Sequence, residues 1–519
     1  MRYPRLLLYS TAFVCLVSSS LFPQNPPAKD SDVTTTFQPQ GGVLRTTTRL
    51  VVVDVVATDP KGQPVLDLKP QDFTVSENGE PQEIADFSFH QPGKITQPAA
   101  HLAAGVFSND PPYSGNSCMN VILLDAINTD FSSHAYAQDM LIKYLDNAPA
   151  IQPTAVYALE NDLKMLHDFT TDTKVLRDVL AHYKPQGPTH LPDVYAAASP
   201  FERRGTFQPT AQGRLAAFYG MTFLAQALSG YPGRKNMIWI SEGFPLNLFP
   251  DALMGDGIML TEDYSPLVEK IADDLMAAQV ALYPISAAGV SNVSQFSAQT
   301  AMSSMAQRTG GKTFFNRNDI DLGVRTSLDD GATYYTLDYY PKNRNWDTKF
   351  RHIEVKVARK DLKLHYRDGY YGNSPNMRFG DHLVSHEFSD ALGLNAPSST
   401  GVRFQAAVVP GSQQGISTIT VNFAVDPHTI AFQLGGDNLS RAELNCVVWA
   451  YPPKGDPVRA EGGTINAAVK PEVYQEMMKS YFPCHRTLGL KPGRYTLKLG
   501  VLDRTSSKIG TTTTQITVP

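Results

Sequence analysis

The chain has 519 residues, 42% of them hydrophobic, enough for about three domains of roughly 150 residues, each with its own core. Its formal charge of −5, with no block of like charge, leaves no basic face and excludes nucleic acid as a partner.

The first residues place Arg2 and Arg5 ahead of an apolar stretch from Leu6 to Val17 and the small residues Ser18 to Ser20. This layout predicts a secretory signal peptide over 1–20, so the mature chain is expected to be secreted or to stay in the periplasm or cell envelope. An uncleaved anchor is the alternative, but about a dozen apolar residues falls short of the roughly 20 that span a bilayer. Cys15 follows Val14, where a lipidation signal needs a small residue. No later segment is apolar enough to cross a membrane. Residues 21–42, rich in Pro, Gln, Thr and Gly, predict a disordered linker.

Structure is expected from residue 43. The β-branched run "RLVVVDVVATD" and the segment through "DFTVSENGEPQEIADFSFH", with turn signals at Asp59-Pro60-Lys61-Gly62 and Asn78-Gly79, predict an N-terminal β segment over 43–92. Its few strands cannot bury a core alone. A Pro/Gly/Ser-rich connector is expected over 93–117. The pattern then changes over 118–330. "NVILLD", "TAVYALE", "NMIWIS" and "VALYPIS" are short apolar runs of the buried parallel-strand kind, and they alternate with helical patterns such as "SHAYAQDMLIKYLDNA" and "PLVEKIADDLMAAQ". That alternation predicts a doubly wound α/β sheet.

Residues 331–372 return to strand character, with Tyr334, Tyr335, Tyr339, Tyr340, Tyr366, Tyr370 and Tyr371 read as half-buried strand positions rather than a sticky aromatic surface. This second β segment has too few strands of its own. Joined to residues 43–92 it would make a sandwich of about seven, with the α/β domain inserted between the halves. After a linker over 373–400, strand patterns at intervals of roughly ten residues predict a C-terminal all-β sandwich over 401–519. Without the signal the cysteines are Cys118, Cys446 and Cys484. The odd number allows one disulfide at most, with Cys446 and Cys484 the pair within one domain; all three as small buried hydrophobes is the alternative.

The acid-terminated strand "NVILLD", then "GRKNMIWISEGFP", "VALYPISAAGV" and "AQRTGGKTFFNRNDI" resemble a von Willebrand factor type A (VWFA) domain. With "VVVDVVATDPKGQPVLDLKPQDFTVSENGEPQEI" before them and "YYTLDYYP" to "DGYYG" after, the stretch from Arg45 to Gly372 resembles the divergent VWFA-related family described from acidobacteria. Integrin β chains resemble the inserted arrangement. Metal-binding A domains carry Asp-x-Ser-x-Ser at the end of the first strand, with a Thr and an Asp from two further loops, converging on Mg2+ with an open position for a partner's carboxylate. Asp125 matches the first acid, Thr129 stands at the second hydroxyl, and Glu242 lies where the third loop's Asp belongs. Ile127 occupies the first Ser position and offers no oxygen, and spacing does not choose between Thr206 and Thr210 for the second loop. The resemblance therefore implies a degenerate metal site of Asp125, Thr129 and Glu242, with no cofactor expected beyond a weakly held Mg2+. The alternative for Asp125 is a purely structural loop or cap role.

No Gly-x-Ser-x-Gly, His-Glu-x-x-His, phosphate-binding Gly-rich loop or Cys-x-x-Cys occurs. "SHEFSD" sets His386 beside Glu387 and Asp390 but lacks a second His at helical spacing. The expected function is a non-enzymatic binding or adhesion module for a protein or envelope ligand, acting at the crevice beyond the strand ends. A hydrolase with a dispersed active site is the alternative.

Overall fold

The computed structural model describes residues 50–92, 102–111, 113, 118–148, 151–160, 163–185, 211–242, 265–290, 296–372, 381–413, 416–460 and 464–518. The expected signal peptide, the linker over 21–42, Thr206 and Thr210 lie outside them. Among the described residues no helix is long and apolar enough to cross a membrane.

The elements of the central domain are numbered in chain order: β1 (Met119–Asp125), α1 (Phe131–Asn147), β2 (Thr154–Leu159), β3 (Leu163–Thr170), α2 (Thr173–His182), α3 (Ala211–Leu228), β4 (Lys235–Ser241), α4 (Ser265–Ala277), β5 (Val280–Ser286), α5 (Phe296–Thr309) and α6 (Ile320–Asp330). The sheet runs β5-β4-β1-β2-β3. Its first four strands are parallel and β3 closes the edge antiparallel to β2. Every residue of β1, β4 and β5 is buried, because helices cover both faces and leave no side for polar alternation. Successive residues of β1 feed different cores. Val121 and Leu123 pack with Leu224 and Ile271, while Ile122 and Leu124 pack with Leu141, Leu176 and Leu328. The strand order reverses between β1 and β4, the switch point outside whose carboxyl ends doubly wound sheets tend to bind their ligands.

The segments on either side of this domain form two four-stranded sheets. Val51–Thr58 pairs antiparallel with Tyr334–Tyr339, and Phe73–Glu77 pairs with Phe350–Val357. Both sheets mix strands from before and after the insertion. They share one core of Val53, Val55, Phe73, Val75, Tyr335, Leu337 and Val355. At its edge Arg351 lies 3.4 Å from Glu77, whose Oε2 also accepts the hydroxyls of Tyr339 and Tyr370 at 2.9 and 2.8 Å.

Two stretches read as connectors carry elements. Val106–Ser108, within 93–117, is a strand paired with Phe404–Gln413, and α7 (Asp381–Ala391) lies within 373–400. Neither has enough apolar periodicity to be seen alone; each forms because a neighbouring surface completes it. The C-terminal region has two antiparallel sheets over one core, with Phe404, Val421, Cys446 and Leu499 buried in it. Cys446 and Cys484, on opposite sheets, are joined by a disulfide at a Cα separation of 6.8 Å, while Cys118 is free and buried.

Helix α7 docks this region on the central domain. Phe388 and Leu392 pack with Leu502, Ile509 and Phe223 of α3. Glu387 of "SHEFSD" accepts from Gln226 Nε2 at 2.8 Å and faces Lys270 at 3.6 Å. That acid is a docking residue; the His386 side chain lies outside the described residues.

Candidate functional site

Asp125 ends β1 at the carboxyl edge of the sheet, at this switch point, and is fully buried. Its Oδ1 accepts from the backbone nitrogens of Ile127 and Asn128 at 3.2 and 2.9 Å and from Asn128 Nδ2 at 3.1 Å. Its Oδ2 accepts from Asn128 Nδ2 at 2.9 Å and from Ser241 Oγ, the last residue of β4, at 3.0 Å. Burial pushes the Asp125 carboxyl up to about 6, with the Asn128 and Ser241 hydrogen bonds working against it. Asp125 accepting the nitrogen two residues on makes an Asx-turn; no pattern in the sequence singled out Asn128.

Thr129 and Glu242 meet one layer further out. The Glu242 nitrogen donates to Thr129 Oγ1 at 3.1 Å, and the Asp130 nitrogen donates to Glu242 Oε2 at 3.0 Å. The loops after β1 and β4 are thereby clasped in both directions. Asp130 in turn caps α1, accepting from the nitrogens of Ser132 and Ser133 at 2.7 and 3.2 Å, as short polar residues do at helix starts. Burial, then the neighbouring Asp130, push the Glu242 carboxyl up to about 7. Burial acts the same way on Asp130, but hydrogen bonds from Glu242, Ser132 and Ser133 outweigh it and hold that carboxyl well below the usual range. Of the two carboxyls, Glu242 is the one that keeps a proton to higher pH.

The three candidates from sequence thus converge, but as members of a hydrogen-bonded clasp. A carboxylate has about four lone-pair directions, and those of Asp125 are filled by protein donors. Ile127 is half-buried and packs against the core on one face of the sheet. As arranged, these residues do not fit a divalent cation, and among the described residues no group of three or more His, Cys, Asp or Glu side chains is placed to hold one.

The rim is apolar. Phe131, first residue of α1, is 78% exposed, and Val290, in the loop after β5, is 63% exposed. Asn318 ties the rim together: its carbonyl accepts the Tyr136 hydroxyl of α1 at 2.6 Å and its Oδ1 accepts the Val290 nitrogen at 3.0 Å. Behind the rim, Tyr183 donates to Glu160 Oε1 at 3.1 Å and lies 5.8 Å from the buried His134 ring.

The strand order, with the first four strands parallel and helices on both faces, defines the centre of the chain as a doubly wound α/β domain. No family model matches the chain, and no curated relative does. Solved structures similar to it include a von Willebrand factor type A protein from Catenulispora acidiphila (10% identity, 84% of this chain and 74% of that chain, TM-score 0.24). Others are the vWF domain of a type V pili tip protein from Porphyromonas gingivalis (10% identity, 41% and 96%, TM-score 0.24) and an aerotolerance-related membrane protein from Bacteroides fragilis (10% identity, 41% and 98%, TM-score 0.24).

Proposed function

We propose that the protein is a non-enzymatic, extracytoplasmic binding module that engages a protein partner at the crevice beyond Asp125. The exposure of Phe131 carries this reading. A phenylalanine held 78% open on the capped first turn of a helix, with Tyr136 of the same helix and Val290 also exposed, offers an aromatic anchor of the kind protein interfaces bury. The Cys446–Cys484 bridge and the signal-like first twenty residues support an oxidising compartment outside the cytoplasm. In the same reading the chain belongs with the divergent VWFA-related family described from acidobacteria, on the three motifs it shares in order.

Immobilised mature protein and its Phe131→Asp variant, matched in Tm, are exposed to envelope fractions. The wild type is expected to retain a partner that the variant releases. Equal retention by both would sink the crevice reading, and turnover of ester, peptide or glycoside substrates by purified protein would sink the non-enzymatic one.

A further inference from the structure

The forked contact between Asn128 and Asp125 goes beyond that reading. We propose that the Asn128 side-chain amide takes the place of a cation in this crevice, so that the loop after β1 is held, and a partner engaged, without divalent metal. A carboxylate buried to 0% exposure must be compensated by positive charge or by donors. Here protein donors supply the compensation. Asn128 Nδ2 lies 3.1 and 2.9 Å from the two oxygens, two backbone nitrogens point at Oδ1, and the Ser241 hydroxyl closes Oδ2. A Mg2+ ion would have to lie about 2.1 Å from a ligand oxygen. Nδ2 covers the face of the carboxylate between both oxygens, so amide and ion exclude one another there. The other two candidates are held in the same way, Thr129 Oγ1 by the Glu242 nitrogen and Glu242 Oε2 by the Asp130 nitrogen.

The consequence for the partner rests on the crevice reading: without an ion to complete, contact needs no acidic group from the partner and survives chelation. The substitution of amide for ion does not rest on it and is read without a partner. Wild-type mature chain is titrated calorimetrically with Mn2+, and its Tm is compared in EDTA and in about 10 mM Mn2+, where an ion bound only by the folded state would stabilise it. No saturable heat and an unchanged Tm are expected. Asn128→Asp, nearly isosteric, sets a second carboxylate against the first; its Tm is expected to fall in EDTA and to rise with Mn2+. Saturable Mn2+ binding by the wild type that Asp125→Ala abolishes would overturn the proposal. So would an Asn128→Asp protein as stable as wild type in EDTA, or one whose lowered Tm Mn2+ does not raise. Should Asn128→Asp fail to fold, the wild-type titration decides. Failure of the crevice reading shows separately, in retention by Phe131→Asp.

Discussion

Gly230 lies so close to Thr400 that a Cβ on it would sit 2.1 Å from the Thr400 carbonyl oxygen. The Gly230 nitrogen donates to Thr400 Oγ1 at 3.0 Å, and the same hydroxyl donates to the Ala227 carbonyl at 2.6 Å. One threonine thus satisfies the end of α3 and fastens the C-terminal sheets to the central domain. Because the clash is with backbone, no rotamer change relieves it. Gly230→Ala is expected to destabilise the chain by about 2 kcal/mol or more and to make residues 373–400 sensitive to protease. Unchanged cleavage and Tm would show that the junction is not held here.

The Glu77–Arg351 pair joins the segment before the insertion to the segment after it, with side chains 2% and 1% exposed. Arg351→Met leaves a carboxylate buried among two tyrosine hydroxyls, and breaking a buried pair from one side costs about 3–5 kcal/mol. Denaturation of the full chain is expected to show that loss, with part recovered in the Glu77→Gln, Arg351→Met double variant. A loss under about 1 kcal/mol would mean that the pair contributes no more than a surface ion pair.

Reducing the Cys446–Cys484 bridge releases a loop with a sequence separation of 38 residues. Loop-closure entropy sets an upper value of about 4 kcal/mol for the loss of stability. Thermal unfolding with and without reductant, checked against the Cys446→Ala, Cys484→Ala variant, tests this. If the transitions coincide and non-reduced peptides show free thiols, the bridge does not form.

Lys235 sits 1% exposed beneath the sheet, its Nζ donating to the Tyr231 carbonyl at 2.8 Å. Burial pulls its pKa from the ordinary 10.5 down to about 7, against the attraction of Asp54 and Cys118. Below pH 7 folded and unfolded chains are both protonated there, and the cost of burying the charge is present in full. Between those two values the unfolded chain holds a proton that the folded chain has lost, so stability rises with pH through that window. The wild-type Tm is expected to climb relative to Lys235→Met from about pH 7 to 9, with the variant more stable at neutral pH. Parallel profiles would contradict the assignment.

What the sequence determined by itself is the local order of the central domain. Runs such as "NVILLD" and "VALYPIS" are apolar at every position because both sheet faces are covered, and the switch to helical period between them is a property of neighbours along the chain. The same runs located the candidate site, since an acid that ends such a strand can only lie at its carboxyl edge. Asp125 and Glu242 were therefore legible as residues of one place, while the bonds that engage them were not. Donors from Asn128, Ser241 and Asp130 fill their oxygens, and only the approach of β1 to β4 brings Ser241 within reach of Asp125, 116 positions away. Tertiary contact alone likewise made a strand of Val106–Ser108, which has three residues and pairs with a segment almost 300 positions later. Three residues carry too little periodicity to declare an element; their backbone groups become a strand only when the edge of Phe404–Gln413 supplies the partners.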